Sequence, residues 1–273
     1  MRYLPGGYTV VEVMLFLVIS GIIFAGAAFV FNGQQSKTAF EQGMRDLASQ
    51  MQKYVDDVST SLFLGGDKYS CAVSSSTGRA VLSAGGSSLG SNQDCIFLGR
   101  AVQVVPTQQM IYIYSVLGNK STSDGEAVTT FANAMPEPAF SNGADLTDTY
   151  FTAWGKVASS KITDTSGAVS DSDLVGFYNS LQDGFQNSGV TGAQAVFAKG
   201  YSFQSTDTNS ARSPAIKSCI EEQNANGVTC ANTPVIKSWD VCFSSTRSDQ
   251  TAILAMDSTP AGITTDVNFT SCS

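Results

Sequence analysis

Between Gly6 and Phe31 the chain carries an apolar run holding a single carboxylate, Glu12, and no further charge follows until Lys37. Few folds accept such a segment. A helix that is apolar on every side must be buried, in a protein core or in lipid. A bilayer span takes ~20 apolar residues, and Tyr8 through Phe31 supplies 24. The expectation is a membrane-crossing helix, placing the chain as a single-pass membrane protein. An ionisable group costs ~2.5–3.5 kcal/mol at the centre of a span, so Glu12 calls for a function. The alternative is a plain anchor whose Glu12 reaches the interface.

A secretory signal places its small-residue cleavage site after a short apolar core. Here the small residues, Gly6-Gly7, come before the run, which fades into Asn32-Gly33-Gln34-Gln35-Ser36. Cleavage after Gly7 would keep the whole helix and make Tyr8 the new N-terminus. Read together, Gly7, Tyr8, Thr9, the apolar Val10 and Val11, and Glu12 resemble the processing motif of type IV prepilins and pseudopilins. The resemblance implies a leader removed by a prepilin peptidase and N-methylation of Tyr8. It also implies a helix that assembles with its copies, with Thr9 and Glu12 at the contact. Glu12 would pair with the freed amine of a neighbour's Tyr8. Losing one partner of a buried ion pair is far costlier than replacing both.

Beyond the run, Phe40, Met44, Leu47, Met51, Tyr54, Val58 and Leu62 recur at steps of three and four, an apolar stripe on a polar helix. Unbroken, a helix from Tyr8 to Leu62 would extend ~80 Å. Asn32-Gly33 is its expected bend, and Gly65-Gly66 its end. Cys95–Val105 and Gln109–Leu117 are rich in β-branched and aromatic residues around Pro106-Thr107 and read as a hairpin. Strands are also expected over Lys68–Val73, Val196–Phe203, Val235–Ser244, Thr251–Met256 and Ile263–Phe269, with loops over 74–94 and 207–234. The Ser/Thr/Gly-rich stretch 118–195 reads as an insertion, given partial order by Phe131, Phe140, Tyr150, Phe151 and Trp154. It carries one expected helix, Asp171–Asn187, with Leu174, Tyr178, Leu181 and Phe185 on one face and Gly189 as its stop.

These readings assemble into an α+β, pilin-like expectation: a long transmembrane-plus-amphipathic helix packed on an antiparallel sheet head with an inserted subdomain. The divisions are a leader at 1–7, an assembly helix at 8–31, a stalk helix at 32–64 and a head at 65–273 with its insertion at about 118–195.

Six cysteines, Cys71, Cys95, Cys219, Cys230, Cys242 and Cys272, are an even count without C-x-x-C spacing. In an exported chain this favours disulfides, whose pairing sequence cannot choose. The sequential set is the preferred one: Cys71–Cys95, Cys219–Cys230 and Cys242–Cys272. With no histidine, Ser-His-Asp, Cys-His and Cys/His-zinc chemistry are excluded. No nucleotide-binding or nucleophile-elbow motif is present. We therefore expect no catalytic residue, no metal and no cofactor. Asp164, Asp171 and Asp173 could offer oxygen ligands to calcium but lack its loop spacing, and loop solvation is the reading. The adjacent pairs Asp56/Asp57 and Glu221/Glu222 likewise read as solvated. The net charge of −8 disfavours non-specific nucleic-acid binding.

The implied function is structural: a minor subunit of a type IV pilus or related filament, ending on the cell surface. Its partners would be other pilin subunits, a prepilin peptidase, membrane lipid and the pilus assembly machinery. The alternatives are a tip adhesin for a surface, a host-cell receptor or DNA, and a pseudopilin of a type II secretion system.

Overall fold

A computed structural model describes residues 9–60, 69–84, 94–106, 108–140, 147–180, 196–205, 213–222, 230, 235–259 and 261–272, with the side chains of 27–33 excepted. Gly7, Tyr8, Leu62, Gly65-Gly66, Gly189 and the second half of the expected 171–187 helix lie outside them.

One long helix, α1 (Val10–Ser59), opens the fold. The helix runs through Asn32-Gly33 without interruption. A small hairpin follows, β1 (Tyr69–Val73) with β2 (Ala80–Ala84). Its second strand lies where the sequence suggests only a loop. The next strands are β3 (Cys95–Val105), β4 (Met110–Asn119), β5 (Glu137–Pro138), β6 (Thr147–Phe151) and β7 (Gly155–Asp164). They are followed by β8 (Val169–Asp171), β9 (Leu174–Asn179) and β10 (Val196–Tyr201). A short helix α2 (Pro214–Ile220) precedes β11 (Ile236–Ser245), β12 (Thr251–Thr259) and β13 (Gly262–Asn268).

The strands form two large antiparallel sheets besides the hairpin. The central sheet runs β10-β9-β3-β4-β5, with β6 also on β4, and the outer sheet runs β13-β12-β11-β7-β8. The expected α+β, pilin-like architecture is therefore corrected. The protein is mostly β, 46% strand against 25% helix, in three sheets rather than one small sheet on a long helix. The physical reason lies in residues 118–195. They are not an inserted subdomain: β6 and β9 belong to the central sheet, and β7 and β8 build the outer one. Leu174–Asn179, expected to be helical, is a strand paired on both sides, by β3 and β10.

The single-pass membrane expectation is corrected as well. Among the described residues no helix is long and apolar enough to cross a membrane.

Two hydrophobic cores share the central sheet. In the first, the α1 residues Phe40, Met44, Leu47, Met51, Val55 and Val58 meet Val102 and Ile113 of the central sheet and Trp239 and Leu254 of the outer sheet. In the second, Leu98, Tyr114, Tyr178 and Phe197 from the other face of the central sheet meet Phe131 and α2 residues Ile216, Cys219 and Ile220. Burial on both faces explains why β3 and β4 read as continuous apolar runs rather than alternating ones. A bulge between Phe97 and Gly99 adjusts the register of β3. Gly99 has φ 156°, and a Cβ there would lie 2.0 Å from the Phe177 carbonyl oxygen, so only glycine fits.

All three sequential disulfides are present. Cys71–Cys95, Cys219–Cys230 and Cys242–Cys272 have Cα separations of 6.1, 5.1 and 5.9 Å, within the range that a disulfide bridges. The first joins the hairpin to β3, the second anchors the chain after α2, and the third ties the C-terminal segment to β11.

Candidate assembly face

The start of α1 is built by a reciprocal cap. Thr9 is in extended conformation, and its Oγ1 accepts from the Glu12 backbone N–H at 3.3 Å. Glu12 Oε2 accepts in return from Thr9 N and from Thr9 Oγ1, each at 3.0 Å. The Thr-x-x-Glu spacing is a capping box, two otherwise unsatisfied backbone donors being met reciprocally. A carboxylate in the first turn also complements the helix dipole. Sequence reasoning found Glu12 but missed this role, although the four-residue signature was legible. The structure thus brings Thr9 and Glu12 together within one chain. Gly7 and Tyr8 lie outside the described residues.

Past the cap, every large apolar side chain described as far as Phe24 stands free of the head. Val10, Phe16 and Phe24 are 74%, 71% and 77% exposed, and Met14, Leu15, Leu17, Ile22 and Ile23 are exposed on the remaining sides. Val11, Leu15, Ile19 and Ile23 with Glu12 and Ser20 line one groove along this surface. Gly21 and Gly26 have nothing within 4 Å of where a Cβ would stand. An isolated apolar helix of this kind has no stable place in water. The arrangement suits burial against further apolar surface, of protein or of lipid.

The second half of α1 is fixed to the head by more than its buried stripe. Arg100 of β3, 2% exposed, pairs with Asp57 of α1 at 3.6 Å and Asp148 of β6 at 3.2 Å. Its guanidinium also lies 5.0 Å from the centre of the Tyr54 ring. The Tyr150 hydroxyl donates to Asp46 at 2.6 Å, and burial with this carboxylate partner pushes the phenol up to about 12. Gln52 spans to the edge strand β13: its Nε2 donates to the Ile263 carbonyl at 3.2 Å, and its Oε1 accepts from Thr265 N at 3.1 Å. The Trp154 indole stacks edge-on to Phe40 and lies directly over Gly43.

The acidic pairs read as solvated are used differently. Asp57 is buried in the Arg100 pair. Glu221 and Lys217 of α2 form an ion cluster with Glu137 of β5, and Arg79 reaches Glu137 at 3.9 Å. Burial and the neighbouring Glu137 carboxyl push Glu221 up to about 7. Glu222 pairs with Lys199, whose ammonium burial pulls down to about 8. The three calcium candidates are dispersed. Asp164 Oδ1 closes the β7–β8 turn by accepting from Ser166 N at 2.8 Å and Ala168 N at 2.9 Å. Asp171 sits opposite Lys161 on the strand pair. Asp173 is buried and accepts from Ser205 N at 2.7 Å; desolvation pushes its carboxyl up to about 6. Among the described residues no three acidic or sulfur side chains converge on a metal position.

Comparison of the chain with family models, with curated proteins and with solved structures finds no match.

Proposed function

We propose that the protein is a structural subunit of a filament of the type IV pilus or pseudopilus kind, assembling through the N-terminal half of α1. One observation carries the reading: the Val10–Phe24 surface is apolar on all sides, carries a single carboxylate, and is uncovered by the protein's own head. A bundle of such helices from several copies would bury what each copy leaves exposed, at ~25 cal/mol per Å² of apolar surface. The motif at Gly7, Tyr8 and Glu12 supports removal of the leader by a prepilin peptidase and N-methylation of Tyr8. Inside the bundle Glu12 would meet the amine of a neighbouring Tyr8, keeping its bonds to Thr9 as the cap. The three disulfides fit an oxidising compartment, periplasmic or extracellular.

N-terminal mass spectrometry of the mature protein tests the reading directly. A chain beginning at N-methyl-Tyr8 is the expected result; one beginning at Met1 overturns the processing on which assembly depends. Glu12→Ala should reduce incorporation into filaments severely while the separate head keeps its thermal midpoint.

A further inference from the structure

An open cleft of about 520 Å³ lies beside the β1–β2 hairpin. Its polar wall comprises Asp94, Asn119, Ser121, Thr122 and Asn133, and its apolar wall includes Val73 and Met135. The frame is held by backbone bonds: Asn119 N donates to the Ala134 carbonyl at 2.7 Å, Lys120 N to Asp94 at 2.9 Å and Thr122 N to Glu126 at 2.8 Å. The Asn133 backbone N–H donates to Thr130 Oγ1 at 3.1 Å. The Cys71–Cys95 disulfide fixes the hairpin to β3 next to Asp94. A site framed this way is largely formed before a ligand arrives.

Asn119 supplies the second observation. It is 5% exposed and its Nδ2 donates to the Gly78 carbonyl at 2.6 Å, yet its Oδ1 has no hydrogen-bond partner. Buried carbonyl oxygens are normally satisfied. Met135 closes over this amide, with its sulfur 3.7 Å from Nδ2, and a thioether chain moves aside readily.

The lining narrows the ligand class. Among the described lining residues no lysine or arginine is present to hold a phosphate, and their one carboxylate is a poor set for a hard cation. Hydroxyls, amides and one carboxylate beside a small apolar wall suit a neutral molecule bearing several hydroxyl groups and a C–H face. We propose that this cleft binds a neutral saccharide. Asp94 accepts from adjacent ring hydroxyls, the Asn133 amide both donates and accepts, and Asn119 Oδ1 accepts from a hydroxyl once Met135 shifts. Val73 and Met135 cover the apolar ring face. The site is independent of assembly through α1.

The test is an amide NMR titration of the full-length chain in phosphocholine detergent, since glycoside detergents would compete. The probes are D-glucose, D-galactose, D-mannose and N-acetyl-D-glucosamine, each added to about 50 mM, enough to saturate a dissociation constant of ~1–10 mM. At least one should give saturable shifts at Asn119, Ser121 and Asn133. The Asp94→Ala/Asn133→Ala double variant should bind at least about tenfold more weakly, with an unchanged thermal midpoint. Absence of saturation with all four sugars, shifts confined to other residues, or undiminished binding by the double variant would each overturn the proposal.

Discussion

Gly43 and Asp173 show how single residues set the stability of this fold. A Cβ at Gly43 would stand 2.5 Å from the Trp154 ring, so the indole rests on bare helix backbone. Alanine ordinarily favours a helix by ~1 kcal/mol over glycine. Here Gly43→Ala should instead destabilise by ~1–3 kcal/mol, the usual cost of overpacking, visible in chemical denaturation. Asp173 predicts a pH effect. Its folded pKa, raised to about 6 by burial, lies above the ordinary carboxylate value near 3.9. Between pH ~4 and ~6 the folded state keeps a proton that the unfolded chain has lost, so stability falls as pH rises through that window. Asp173→Asn keeps an acceptor for Ser205 N and cannot ionise. Its stability relative to the parent should rise between pH 4.5 and 7.5 by about 2 kcal/mol, and a pH-independent difference would contradict this.

At the scale of elements, the Gln52 bridge from α1 acts as a substitute strand for β13. An edge strand presents unpaired backbone groups that invite pairing with another chain, and this side chain occupies two of them. Gln52→Leu should cost about 1 kcal/mol and increase strand-mediated aggregation, followed by thioflavin fluorescence on prolonged incubation. Elements also show what was legible in the sequence. The α1 stripe and the β3–β4 hairpin could be read because their residues carry a clear period or β-branched density. Leu174–Asn179 could not: a short apolar run fits either period, and Leu174, Tyr178, Leu181 and Phe185 happened to fall at helical spacing. Val175, Gly176 and Phe177, which suit a strand buried on both faces, were the contrary signal. β7 was masked by Lys156, Ser159, Ser160 and Lys161, although Val157 and Ile162 point inward. For α2, the signal was Ser213 followed by Pro214, an N-cap with proline at the first helical position. Thr9 and Glu12, the proposed assembly residues, were legible as positions, and their Thr-x-x-Glu spacing carried the capping signature that the structure makes explicit.

For the whole molecule, the head is closed and its N-terminal helix is not. The two halves of α1 face opposite demands: the second is buried between the sheets, and the first stays uncovered. Replacing Phe16 and Ile19 together by glutamate should abolish self-association in sedimentation and filaments in electron micrographs. The head's thermal midpoint should remain within about 2 °C, as surface substitutions usually leave stability nearly unchanged. A lowered midpoint would show that this half of α1 also supports the head.

The packing of α1 against β13 has a consequence for biosynthesis. α1 rests on β13, a strand made long after it, and Cys242 waits for Cys272. The apolar stripe on the second half of α1 therefore meets β3 first and completes its seat only when β13 has emerged. Contacts of such sequence separation form slowly, and a waiting apolar segment is open to wrong encounters. The nascent chain should depend on a holding chaperone for most of its translation, and its last bridge should close only after that escort has left.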